Sequence, residues 1–488
     1  MFRPVRLSKI YCIFPKGMLE TVVSTLQSVG AVHIYDIKKE YQSLNTMNAS
    51  YKDEASQLLE NISKYKHELE SKAGRNRYEW ILGPRYITVE TGEKKAQDSI
   101  NEARGLLEEI KNRYKEINAK NAKEIKKIFY PRLVSVKERL DNINYMVKAL
   151  EKFGATKYTA SFGGFAAKED ISKVLNAIDV ATNGKSAFEI KDGIPEDNPP
   201  TKLSNPKLIR PFEVLTENYG MPPYNGIDPT FILAGTFTLL FGMMFPDVGY
   251  GIMLVLLSLA VYFITRKTTR FIRNLNVILI YGGLSSAFFG FLFGEFFGKF
   301  IKIKPLLFEP ARDIMAILLI SIIIGLAHIS LAIISRAITE KSKLHILSLL
   351  ATLWSIALFS YTGKGYYFIL FAAGIIVLLY TKGLYAIEEV VSIFTHVLSY
   401  IRIGILSILS IIISRLLVEA VAGLPKNIIG VALGALLMAI GISFSLITGI
   451  VLVFIQSLRL HWLEFFSAYE FGGKKFEPFS YKREYLYS

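Results

Sequence analysis

Residues 428–458 run for 31 positions without one Asp, Glu, Lys, Arg or His. At 1.5 Å per residue such a stretch makes a helix of about 46 Å. That is half as long again as the ~30 Å hydrocarbon core of a bilayer. A helix this long must tilt steeply, bend or protrude. The segment before it, 388–421, reaches about 50 Å by the same arithmetic. Two neighbouring overlong helices exceed what an ordinary channel or carrier needs.

The charge follows the same division. Residues 1–228 hold 36 of the 57 Lys+Arg and 30 of the 42 Asp+Glu, while 229–488 hold 21 and 12. A single soluble enzyme domain, a disordered chain and a small disulfide scaffold are excluded by this split and by the single cysteine. Eight apolar segments are expected, at about 231–245, 249–265, 275–297, 313–335, 345–361, 366–381, 388–421 and 427–461. With eight spans, loops and tail on the side of the N-terminus carry twelve Lys/Arg against six opposite, so both termini read as cytoplasmic. The first span is short and breaks at Pro246-Asp247, and losing it inverts the bias.

The two long segments each carry a small or polar stripe at steps of three and four. In the seventh these are Ser392, Thr395, Ser399, Arg402, Ser410 and Ser414; in the eighth, Gly430, Gly434, Gly441, Ser445, Thr448, Gln456 and Arg459. Small residues in such stripes serve helix packing or line a path with equal merit. Arg402 is different. It lies mid-segment, fourteen residues after Glu388. A central arginine costs at least ~2.5–3.5 kcal/mol on insertion scales and keeps its proton. No acid is evident on the apolar part of a facing helix, so the expected partner is a carboxylate on another subunit.

Several stretches then resemble one family. SYIRIGILSILS (399–410) is similar to the sequence around the essential arginine of the a/I subunit of rotary V-type and archaeal A-type ATPases. SLRLHWLEFF (457–466) with KKFEPFS (474–480) resembles its C-terminal signature, MMFPDVGYG (243–251) the motif after its first membrane helix, and YGGLSSAFFGFLFGEFFG (281–298) its third helix. PPTKLSNPKLIRPFEVLTENYGMPPYNGIDPT (199–230) is similar to its linker into the membrane.

The resemblance implies a membrane stator with two offset half-channels beside a rotating proteolipid c/K ring, whose subunits each carry one ion-binding Glu or Asp. It implies that Arg402 faces that carboxylate and that Arg459 matches a second arginine, with Gln456 one turn before it. Peripheral stalk E and G/H subunits, a central-stalk C/d-type subunit and the lipid bilayer are the implied partners, in a prokaryotic, archaeal cell membrane. Half-channel lining is expected from Asp247, Glu295, His328, Glu388, Glu389, His396, Ser399, Ser410 and Glu419. Asp247 equally suits a helix cap, Glu388 and Glu389 equally suit the interface, and His461 reads as interfacial. Gly449 stands where many members carry a membrane glutamate, and Ser410 where some have histidine. There is no G-x-x-x-x-G-K-[ST] run, so a non-catalytic subunit without cofactor or metal is expected.

The first half reads as β/α/β over 4–13, 15–29 and 31–37, with a second such unit over 156–192. Apolar residues at helical spacing over about 50–152 suggest an antiparallel coiled-coil hairpin, with the family's distal lobe reduced to about 73–92. Residues 1–192 are therefore assigned to a cytoplasmic α/β and coiled-coil part, 193–230 with its prolines to a linker, 231–465 to the membrane and 466–488 to a cytoplasmic tail. The N-terminus lacks the long apolar run of a signal peptide. Cys12 reads as a strand core residue. The basic stretch KEIKKIFYPR (123–132) reads as a solvated helix face rather than a nucleic-acid site. A free-standing ion channel or carrier and a membrane-anchored scaffold are the alternative readings.

Overall fold

The computed structural model describes residues 3–41, 44–46, 52–73, 96–114, 122–194, 197–264, 270–337 and 342–482. The chain forms two compact units. One is built mainly from Val5–Lys202 with the tail from Lys474; the other comprises mainly Leu203–Ile264 and Arg270–Gly473.

In the first unit, strands β1 (Leu7–Pro15), β2 (Val32–Tyr35), β3 (Asn45–Thr46), β4 (Gly154–Ala155), β5 (Thr159–Ala167) and β6 (Ala187–Asp192) form one sheet. Helix α1 (Leu19–Val29) joins β1 to β2. β1 and β2 both pair antiparallel with β5, and β6 pairs antiparallel with β1. The two β/α/β units of the sequence therefore interleave into a split arrangement with order β2-β5-β1-β6. Periodicity alone gives the elements and not this interleaving. Cys12 is fully buried in β1, and Phe479 of the tail joins the same core.

Helices α2 (Lys52–Ala73), α3 (Ala96–Tyr114) and α4 (Ala122–Leu150) share a second apolar core. Leu58, Ile62 and Leu69 meet Ala103, Leu106 and Ile110, and both meet Leu133, Val136 and Leu140. Three helices pack here where a two-armed hairpin was expected. α4 continues through Pro131. Proline removes only one hydrogen bond, to the carbonyl of Lys127, and buried Phe129 and Leu133 hold the flanking turns. The distal-lobe remnant at about 73–92 lies outside the described residues beyond Ala73. Helix α5 (Ile171–Ala181) completes the unit.

The second unit starts in the stretch read as linker. Residues 203–230 pack around α6 (Glu213–Tyr219). The Asn205 backbone N–H donates to Glu213 at 3.1 Å, its side chain donates to Asp228 at 2.7 Å, and Arg270 donates to Glu213 at 2.9 Å. A buried carboxylate is tolerated when so paired.

Among the described residues five helical stretches are long and apolar enough to cross a membrane. They are α9 (Arg270–Phe293), α10 (Ile314–Arg336), α11 (Lys343–Thr362), the stretch Tyr385–Ala422 and the stretch Ile428–Ala468. Three shorter apolar helices accompany them: α7 (Thr230–Met244), α8 (Val248–Ile264) and α12 (Tyr366–Lys382). The last two long stretches have 38 and 41 residues. The first is divided at Tyr400 into α13 (Tyr385–Ser399) and α14 (Ile401–Ala422). The second is α15 (Ile428–Arg459), continued by a π-helical turn over Leu460–Phe465.

Candidate functional site

Arg402 is the second residue of α14, directly after the break. At the break the Tyr400 N–H bonds the Val397 carbonyl at 3.1 Å and the Ile403 N–H bonds the Tyr400 carbonyl at 2.9 Å, both three residues apart. Such tightened turns inside a helix mark a hinge or a strained point. The Tyr400 ring is fully buried against Gly325 of α10, where an added Cβ would lie 2.7 Å from it.

The expectation that Arg402 lacks an internal acid is corrected. Its Nη1 lies 3.7 Å from Oε1 of Glu464, whose side chain is 4% exposed. The separation exceeds a hydrogen bond, and both Arg402 Nη1 and Glu464 Oε2 are buried without hydrogen-bond partners. Arg459 and Ser399 are also near this carboxylate. Sequence reading missed Glu464 because it follows the long apolar run, where an acid looks interfacial. The π turn changes its direction. α-Helical continuation would carry residue i+5 about 140° around from Arg459. A π turn, closed by i→i+5 hydrogen bonds, carries i+5 much less far around, so Glu464 is turned back towards the side of Arg459.

A second buried group adjoins it. His328 Nδ1 is 2.6 Å from the Tyr400 hydroxyl, its ring stacks on Phe465 at 4.4 Å, and its Nε2 has no partner. The His461 ring is 4.9 Å away. His461 was expected at the interface, yet it has no exposed surface. Its Nδ1–H donates to the Ser457 carbonyl at 2.7 Å, so Nε2 accepts from Thr236 at 2.8 Å.

Asp247 and Glu295 occupy a separate place. Asp247 accepts backbone N–H groups from Tyr250 at 3.0 Å, Phe297 at 3.1 Å and Gly298 at 3.3 Å. This caps α8 and ties down the loop after α9. Gly298 has φ +62 and packs against the α14 backbone at Ser414, a position no Cβ fits. Glu295, with no exposed side-chain surface, pairs with Arg415, which also bonds Glu309 at 2.7 Å. Lys299 and Arg312 complete the cluster on Glu309. Arg415 was not singled out from the sequence. A second arginine inside the same apolar segment was the available signal, and Glu295 its available partner.

The remaining candidates scatter. Glu389 pairs with Arg336 at 2.9 Å and His345 at 3.1 Å. His396 bonds Ser392 at 3.0 Å. Glu388 and Glu419 are exposed. Ser399 donates to its own helix, and Gln456 Oε1 is buried without a partner. Ser410, Ser414, Ser445, Thr448 and Gly449 line a cavity of about 50 Å³ between α14 and α15. Ser410 and Ser414 donate to their own helix. A Cβ on Gly449 would meet the Phe245 ring at 2.5 Å, so this ring fills the side-chain space there.

Among the described residues no His/Cys/Asp/Glu group is arranged to hold a metal ion. The model of the V-type ATPase 116 kDa subunit family matches residues 79–311. A-type ATP synthase subunit I of Pyrococcus horikoshii is 30% identical over 424 residues, covering 79% of this chain and 62% of the relative. The subunit of Pyrococcus abyssi is 27% identical over 506 residues, covering 96% and 73%. That of Methanocaldococcus jannaschii is 30% identical over 416 residues, covering 72% and 59%. The chain thus spans under two thirds of the first and third of these relatives. The family match and this set of relatives support an a/I subunit of an A/V-type ATPase.

Proposed function

We propose that this chain is the membrane stator of a rotary ATPase. In this reading α14 and α15 lie against a ring of proteolipid subunits and form the boundary between two half-channels for H⁺ or Na⁺. The observation that carries the reading is the surface on which the two arginines sit. Only 17% and 11% of the apolar windows of the last two stretches are buried, against 33–50% for the other three. Arg402 continues along α14 into Ile405, Leu409, Ile412 and Leu416, all exposed and spaced by three or four. Arg459 continues back along α15 into Ile455, Leu452 and Phe444, also exposed. An isolated lipid-facing helix gains nothing from an arginine on such a face. A ring helix with one carboxylate at the same depth supplies its partner.

The chemistry follows from charge. A fixed guanidinium favours the ionised form of an arriving carboxylate, which sheds its proton towards one half-channel. It also blocks a direct leak of cations between the two. Each charge crossing 100 mV carries ~2.3 kcal/mol, so several ions drive one ATP turnover on other subunits. This subunit itself is non-catalytic. The first unit, with its sheet and packed helices, holds peripheral stalk subunits on the cytoplasmic side.

The test is cross-linking in the assembled complex. Leu409→Cys should form disulfides with cysteines on the outer ring helix, while buried Ser407→Cys should not. Absence of ring adducts at position 409 in an intact complex contradicts the reading.

A further inference from the structure

We infer that Glu464 is the positioning counter-ion of Arg402, holding the guanidinium between visits of a ring carboxylate; this rests on the stator reading above. Arg402 lies 3.7 Å from this one buried carboxylate, and Arg459 is a second cation near it. The local balance is therefore one positive charge in excess. Uncompensated charge is costly at this depth, and a single incoming carboxylate neutralises it.

The contact is half made. Arg402 Nη1 and Glu464 Oε1 stand 3.7 Å apart, and Nη1 and Oε2 are buried with bonds unmade. A purely structural pair would close to the bidentate form, with N–O distances of about 2.7–2.9 Å. A loose pair between a buried carboxylate and a partly exposed guanidinium leaves the guanidinium able to turn to a second acceptor. Both backbones are irregular where these side chains leave them. The Tyr400 turn precedes Arg402, and Glu464 lies in the π turn that follows Arg459. Regular helices would not bring the three charges together.

The groups around this carboxylate are Arg402 of α14, Arg459 of α15, Ser399 of α13 and Tyr400 at the break, with His328 of α10 and His461 behind Tyr400 and Phe465. No described ion pair joins Glu464 to any cation other than Arg402.

The consequence is competition. While the ring carboxylate is protonated, Glu464 keeps Arg402 in place. When it is ionised, the two carboxylates share the guanidinium, so the ring site is released at the next step instead of being held. Neutralising Glu464 transfers the whole attraction to the ring. The ring carboxylate then ionises at lower pH and leaves Arg402 slowly.

The experiment uses the whole complex in liposomes. It compares wild type, Glu464→Gln, Glu464→Asp and Arg402→Ala. Two readouts are ATP-driven ion uptake and the pH midpoint of carbodiimide labelling, which marks the protonated ring carboxylate. Glu464→Gln should assemble, pump about tenfold more slowly and shift the labelling midpoint down by about one pH unit. Glu464→Asp, with a shorter arm and the same charge, should shift it part of the way. If Glu464→Gln does not assemble, the Asp variant decides alone. An unshifted midpoint in the assembled variants overturns the inference even if pumping is slow, since a structural residue would slow it too. Loss of uptake in Arg402→Ala with an unshifted Glu464 variant overturns the role of Glu464 only. Full uptake in Arg402→Ala overturns the stator reading beneath it.

Discussion

Arg415 shows what a buried cation needs. Its partners Glu295 and Glu309 have 0% and 10% exposed side chains. Removing one side of such a pair strands the other in a medium that solvates it poorly. Arg415→Ala should lower the stability of the detergent-solubilised chain by about 3 kcal/mol, read as a clear fall in thermal unfolding midpoint. Glu295→Gln added to it should recover part of the loss, because one stranded charge is then gone. An unchanged midpoint for Arg415→Ala would show the cluster to be solvated. At the other end of the chain, His33 accepts the Glu477 N–H at 3.0 Å. Burial first, and then repulsion from Lys152, hold His33 below the ordinary histidine pKa. An unfolded histidine takes up a proton below pH ~6.5, whereas this one resists. Its effect on stability is therefore nil above that pH, and stability is lost as the pH falls from ~6.5 towards the depressed value. Protonation of Nδ1 also removes the acceptor. Amide exchange at Glu477, corrected for intrinsic rate, should quicken between pH 7.5 and 5.5, and His33→Gln should abolish that step. Equal protection at both values contradicts the assignment.

At the scale of elements, the helices were legible and their interruptions were not. A 31-residue run without charge announces a long helix, because only a helix satisfies the backbone in lipid within a single segment. The π turn over Leu460–Phe465 has no such signature, and neither does the turn at Tyr400, since aromatic and aliphatic residues suit all these conformations. The candidate site suffered accordingly. Arg402, Arg459 and Gln456 were readable as polar residues in apolar surroundings. Glu464 was not, because its direction depends on the π turn. The sheet of the first unit was half legible: its β/α/β elements follow from periodicity, while the insertion of β5 between β1 and β2 is a long-range pairing. Gly449 makes a prediction here. A glutamate at this position must displace the Phe245 ring from 2.5 Å. Overpacking of this kind costs about 1–3 kcal/mol, so Gly449→Glu should lower the unfolding midpoint and Phe245→Ala should offset part of the loss. A Gly449→Glu chain as stable as wild type would mean that the ring moves aside freely.

At the scale of the whole molecule, two features meet. The chain spans 62% of the Pyrococcus horikoshii relative, and it has two overlong stretches with arginines and exposed apolar faces. The central claim is that Arg402 sits on the ion path between ring and stator. ATP-driven ion uptake by liposomes carrying the assembled complex tests it most directly, with wild type compared against Arg402→Ala. The account predicts that uptake disappears, by at least about a hundredfold, while the complex assembles normally. Uptake at the wild-type rate would contradict it and make Arg402 a structural partner of Glu464 alone.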